Sequence, residues 1–247
     1  MWTAFIWGII STSSLVLGGL IGSTLKIGNK SLGIVMAFGQ GVLISAIAYE
    51  LVYESVILAK FSGIPVVSFL GGALTFFFAD RIVGNIGGSN RKKINAPSAS
   101  ILIIPMIIGT IMDGIPESTV LGLGILETGT VSLAMLVAIF ISNLPEAIAG
   151  SVGMKSSGWS VQKIISLWLF IALICAVFTV LGYSLFGNAS DGMIAFVNAF
   201  AGGAMLMMLA NTMIPEAYIN AGKLAGVFTV IGFIVSVAII ILEHKIS

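Results

Sequence analysis

Long apolar runs separated by short polar breaks occupy the chain from end to end. Eight runs stand out, at 4–22, 33–57, 63–79, 99–122, 129–152, 162–187, 193–219 and 226–243. Each is near the roughly 20 residues that carry a helix across a bilayer. They are continuous rather than alternating, which argues against a membrane β-barrel. Turn or charge signals mark the breaks, from Lys26–Ser31 to Asn220–Gly222, and only the connection at 80–98 is long. Its Gly-Gly-Ser-Asn-Arg-Lys-Lys core predicts a solvated loop. The pattern predicts an all-α polytopic membrane protein, with eight transmembrane helices in one membrane domain over residues 1–247.

Composition agrees. A mean hydropathy of +1.14 with 9% charged residues excludes a soluble domain. The 30 glycines suit helices packed closely in lipid, because small residues let backbones approach. A net charge of +1 without a long basic cluster gives no reason to expect nucleic acid as a partner; the lipid bilayer is the expected surrounding. The single cysteine, Cys175, lies in an apolar run, so no disulfide framework is expected. Met1-Trp2-Thr3-Ala4-Phe5 has no basic region and no convincing cleavage site, so the first run reads as a membrane helix.

Alternating the eight spans places Lys26, Lys30, Arg81, Arg91, Lys92, Lys93, Lys155, Lys163 and Lys223 on one side, and only Lys60 and Lys245 on the other. The positive-inside rule then predicts a multi-pass cell-membrane protein with both termini outside and the 80–98 loop cytoplasmic. Span seven also echoes span two. Phe38-Gly39-Gln40-Gly41 and Phe200-Ala201-Gly202-Gly203 open them, and the same spacing leads from Gly41 to Glu54 as from Gly203 to Glu216. The two spans run in opposite senses, as in the inverted repeats of transporters.

Most of the acidic residues have bland explanations. Asp80, Asp191, Glu127 and Glu243 fall at span ends or in loops, where solvation is expected. Glu50 and Glu54, four apart near the outer end of span two, could form an outer vestibule for cations or simply reach the headgroups. Asp113, Glu117 and Glu146 are different, because apolar residues flank them on both sides. An intramembrane carboxylate costs about 2.5 kcal/mol or more unless it has a partner or a cavity. No basic residue lies at matching depth in any span, which leaves protonation or a bound cation.

Spacing favours the cation. Asp113 and Glu117 are i and i+4 on one helix face, and Asn143 and Glu146 are i and i+3. Pro116 and Pro145 cannot donate to the carbonyls of Met112 and Ile141, so each frees an acceptor within a turn of the carboxylates. With Ser142, two facing kinked helices would supply an oxygen-rich cage for a divalent cation, which is substrate rather than cofactor. A third Pro-Glu pair, Pro215-Glu216, near a cytoplasmic span end, is either an exit or a hydrated helix terminus. An intramembrane enzyme is not expected: the only histidine is His244 at the tail, so neither a His-Glu-x-x-His metal site nor a Ser-His pair can be built. A proton-coupled carrier of an organic cation and a non-transporting metal-sensing or scaffold protein remain alternatives.

The paired Pro-Glu motifs in this topology resemble the ZIP (Zrt/Irt-like) family of divalent metal transporters, over nearly the whole chain. That family carries His-Asn-x-Pro-Glu-Gly in span four and His-(Asn/Glu/Asp)-Ile-Pro-Glu-Gly in span five. Here the positions read Asp113-Gly114-Ile115-Pro116-Glu117-Ser118 and Ser142-Asn143-Leu144-Pro145-Glu146-Ala147. Lesser matches are Asp80-Arg81, Glu50-Leu51 and Ala201-Gly202-Gly203 with Ile214-Pro215. The resemblance implies an inverted-repeat bundle and a metal site of Asp113, Glu117, Ser142, Asn143 and Glu146, with Glu146 shared between two adjacent positions. It also implies alternating access, spans one, four, five and six moving against the rest; a homodimer is an arrangement such a bundle allows. Both motif histidines are replaced, the span-four asparagine is Gly114, and the acidic residue many members carry in span six has no counterpart between Leu167 and Tyr183. An all-oxygen site would shift preference from zinc toward harder ions such as manganese, iron(II) or magnesium.

Overall fold

A computed structural model describes residues 1–85 and 103–246. The described residues form eight long helices and no strand: α1 (Trp2–Thr24), α2 (Asn29–Leu58), α3 (Ile64–Asn85), α4 (Ile103–Thr128), α5 (Leu133–Ser156), α6 (Val161–Leu185), α7 (Asp191–Ala221) and α8 (Lys223–Ile246). Seven of them, all but α4, are apolar and long enough to cross a membrane. Helix α4 has 26 residues but carries Asp113, Glu117 and Glu127. Helix α3 continues past Asp80 to Asn85, and the rest of the expected 80–98 loop lies outside the described residues. Ser132, Ser160 and Ser190 each accept a hydrogen bond from the backbone N–H three residues on, capping α5, α6 and α7. Gly222, at φ +59°, is all that separates α7 from α8, a left-handed turn that suits glycine.

Apolar side chains face outward along the outer helices, among them Val66, Leu70, Phe78 and Ile82 on α3, and Val227, Val230 and Ile234 on α8. In water such faces would be a liability; in lipid they are the expected solvent contact. This is a membrane protein.

The closest pairings are α1 with α5 and α6, α4 with α6, α3 with α7, α2 with α8, and α2 with α5 and α7. Apart from α2 with α5, which joins the two, they group α1, α4, α5 and α6 into one unit and α2, α3, α7 and α8 into another. Exchanging α1–α3 with α6–α8, and α4 with α5, turns the pair α3–α7 into α8–α2 and α1–α5 into α6–α4. Glycines make these pairs possible. A Cβ at Gly72 would collide with the Phe200 carbonyl and one at Gly203 with that of Phe69; on the exchanged pair, Gly41 meets Thr229 and Gly232 meets Phe38. Gly122 and Gly182 stand in the same relation to Thr179 and Thr119 between α4 and α6. Only backbone can approach so closely.

The echo between α2 and α7 extends to their hydrogen bonding. Each contains a π-helical segment beginning six residues after its echoed glycine: Ile47–Tyr53 after Gly41 and Leu209–Met213 after Gly203. The helices run antiparallel, since Gly33 of α2 abuts Asn220 of α7 while Gly202 abuts Leu51 and Val52. A wider π turn interrupts the simple i, i+4 stacking expected for Glu50 and Glu54.

Candidate metal site

Helices α4 and α5 run through Pro116 and Pro145 without a break and cross at their motif turns. Thr110 donates its hydroxyl to Glu146 Oε1 at 3.0 Å, and Asn143 Nδ2 makes a long contact, 3.5 Å, to Glu117 Oε2. These two links fix an antiparallel crossing. Asp113 lies between Thr110 and Glu117 on the same face of α4, at the i, i+3, i+7 spacing. All five motif donors are buried, with Asp113 at 3% exposure, Glu117 2%, Ser142 2%, Asn143 7% and Glu146 5%. The structure thus joins Glu117 to Asn143 and Glu146 to Thr110, and buries Asp113 and Ser142 within the same two turns.

Two features of the expected cage differ. Ser142 donates back to the Ile139 carbonyl at 3.1 Å, closing on its own helix. The Ile141 carbonyl, freed by Pro145, lies against α2, where a Cβ at Gly39 would come within 3.1 Å of it. Among the described residues, no three His, Cys, Asp or Glu side chains stand close enough together to hold an ion as they are. Glu117 and Glu146 form two separate hydrogen-bonded pairs across the α4–α5 crossing, not a closed cage.

Three further residues reach this level, and sequence reading passed over them. Thr110 precedes Asp113 by three residues, a face-sharing signal that was available in the sequence. Ser118, 1% exposed, follows Glu117. Cys175 comes from α6, with its Sγ in the space a side chain at Gly114 would need.

The other acidic candidates lie elsewhere. Glu50 lines a small cavity of about 40 Å³ with Glu127, Asn198 and Ser132. Asn198 Nδ2 donates to Glu127 Oε2 at 3.4 Å, and Glu54 is close enough to Glu127 to repel it. Burial of its carboxylate end, first, and then Glu54 and Asp191 raise the Glu127 carboxyl above its ordinary value of 4.5, while Asn198 lowers it. Much of the Glu127 side chain is exposed, so the effect is small. Glu127 therefore joins the vestibule-side group instead of standing in plain solvent. Glu243, also expected to be merely solvated, accepts from the Leu133 and Ala134 backbone N–H groups at the start of α5. Glu216 is 8% exposed and accepts from Asn220 Nδ2 at 2.8 Å, at the opposite end of α7 from Asn198.

A cavity of about 300 Å³ adjoins the α4 motif turn, between α3, α4 and α7, lined by Phe76, Met112, Pro116, Phe200 and Ala204 among others. It is almost wholly apolar, so it adds space beside the site and not ligands.

No protein-family profile matches the chain. It is 27% identical over 192 residues to an Arabidopsis thaliana protein named "Putative zinc transporter". The match covers 76% of this chain but 30% of that protein's length. That likeness, with the apolar helices, is consistent with a membrane transporter and supports metal transport in general terms.

Proposed function

We propose that the chain is a divalent-metal transporter of the ZIP type, set in the cell membrane with α4 as an eighth span and both termini outside. One observation supports the reading: two buried Pro-Glu turns meet across antiparallel membrane helices, where Asn143 reaches Glu117 and Thr110 reaches Glu146, with Asp113 buried on the same face of α4. Carboxylates at that depth are costly unless an ion or proton neutralises them. A divalent cation would take carboxylate oxygens from Glu117 and Glu146, with Asp113 beside them. Thr110 and Asn143 now donate hydrogen bonds to those oxygens. On arrival of the ion they would turn oxygen lone pairs toward it.

The Glu50, Glu54 and Glu127 end would supply the outer approach, raising the local cation concentration. Glu216 would lie on the cytoplasmic route. The pairing of helices into two units supports relative motion of α1, α4, α5 and α6 against the rest, and the name of the Arabidopsis protein supports zinc among the cargoes.

Metal uptake into proteoliposomes provides the test. The double variant Glu117→Ala with Glu146→Ala is expected to reduce uptake of Zn²⁺ and Mn²⁺ to the level of empty vesicles. Uptake unchanged from wild type would overturn the reading.

A further inference from the structure

We propose that the cavity between α3, α4 and α7 binds one acyl chain of a membrane phospholipid, which enters from the surrounding bilayer and lies along the seam beside Pro116. Only the membrane setting of the bundle is required for this, not the metal reading.

The lining of the cavity is an i, i+3, i+4, i+7 face on each of three helices, starting at Gly72 on α3, Met112 on α4 and Val197 on α7. Faces of that spacing are stripes that follow the helix axis. Seven steps of helix make a slot about 10 Å long. It runs the way the spans run, and so the way acyl chains run in a bilayer. Two of its walls are fixed to each other. Backbone contacts at Gly72 and Gly203 lock α3 to α7, and the Phe200 ring stacks on Phe196 with centroids 6.0 Å apart. The third wall is α4, with Pro116 and the residues on either side of it.

The slot holds about 300 Å³ and offers nothing to a polar guest. Only Thr75 and Thr119 among the described lining residues are polar. Each donates its hydroxyl back to its own helix, to the Gly71 and Ile115 carbonyls, both at 2.8 Å. Water gains no partner there; an apolar cavity of about 150 Å³ already stays dry and takes up benzene. A cation finds no ligand. Left unfilled, the walls lose dispersion contacts, and such packing contacts are what hold helices together in lipid.

The slot is also continuous with the lipid-facing surface of the bundle. Thr75 lines it and is exposed, as are its neighbours Leu74 and Phe78 on the outer face of α3. Hydrocarbon is the medium at that surface, so the chain needs no polar path to enter. The bland alternative is a packing gap that α4 closes in the bilayer. That account explains the volume but not a slot matched on three helices with both hydroxyls turned away.

The experiment uses the full chain in phosphatidylcholine vesicles, a fraction of the lipid carrying a diazirine in its acyl chain. After irradiation, labelled residues are mapped by peptide mass spectrometry. Label is expected at Met112 and Phe200 inside the slot, as well as at lipid-facing residues such as Ile234. Met205, fully buried beside Ala204, sets the background. Ala204→Phe is expected to abolish the label at Met112 and Phe200 while Ile234 keeps its own. Ala79→Phe fills the slot from α3 and is expected to do the same, which serves if the first variant fails to fold. Wild-type label at Met112 and Phe200 no higher than at Met205 would overturn the inference. So would label at those two residues that a folded slot-filling variant leaves unchanged.

Discussion

The seam between α2 and α5 and the seam between α4 and α7 are counterparts under the exchange of halves, yet they are packed differently. At the first, the Ile141 carbonyl presses on Gly39 and backbone meets backbone. At the second, a cavity of about 300 Å³ separates Met112 and Pro116 from Phe200 and Ala204. Each unit is held together by glycine contacts that leave no slack, so the difference is concentrated where the units meet. A bundle with one closed and one loose seam has an obvious second arrangement, in which the two trade places. The motif turns of α4 and α5 adjoin the two seams through Pro116 and Ile141, and in the proposed transporter that position would let alternating access act on the site.

The sharpest test of the comparison is steric. Gly39→Leu at the closed seam should cost about 1–3 kcal/mol through overpacking, and lower the melting temperature in detergent accordingly. Ala204→Leu at the loose seam should cost under about 1 kcal/mol, since the added carbons enter empty space. Equal losses from the two would break the contrast. If Ala204→Leu leaves stability intact but slows metal uptake, the empty space serves movement.

The outer clasps refine it. Glu243, at the end of α8, caps the first turn of α5 and so ties the closed seam, while Glu127 and Asn198 bridge α4 and α7 across the loose one. Glu243→Ala should cost about 1 kcal/mol, or about 2–4 °C in melting temperature, and should speed amide exchange at Leu133 and Ala134. Glu127→Gln should do the reverse on a smaller scale. The folded-state pKa of Glu127 is raised, so its protonated form is the one the fold favours. The associated stability is present at low pH and lost as pH rises through the folded value. The Gln variant should therefore melt slightly above wild type at neutral pH, the gap closing as pH falls toward 4.5. A gap independent of pH would assign the effect to packing.

Much of the frame is legible in the chain itself. Apolar runs of bilayer length predict helices because nothing else satisfies the backbone in lipid, and seven of the described helices meet that standard. The Pro-Glu turns announce a site because polar and ionisable groups are expensive to place among apolar residues, and the structure buries all five motif donors. The spacing shared by Gly41–Glu54 and Gly203–Glu216 points to the pairing that the two π-helical segments repeat. These are statements about residues near in sequence, or about the solvent, and local chemistry suffices for them.

What the sequence could not decide depends on which helix faces which. Cys175 reads as one more apolar residue until Gly122 and Gly182 bring α6 against Gly114. Glu243 reads as a solvated tail residue until α8 lies beside the start of α5. The freed Ile141 carbonyl reads as a ligand until α2 covers it. Helix packing in lipid is set by where small residues allow contact, summed over several partners at once, and no stretch of sequence holds that sum. Hence the two Pro-Glu turns were determined by the chain alone, while the partners that Glu117 and Glu146 meet across α4 and α5 were decided by the tertiary structure.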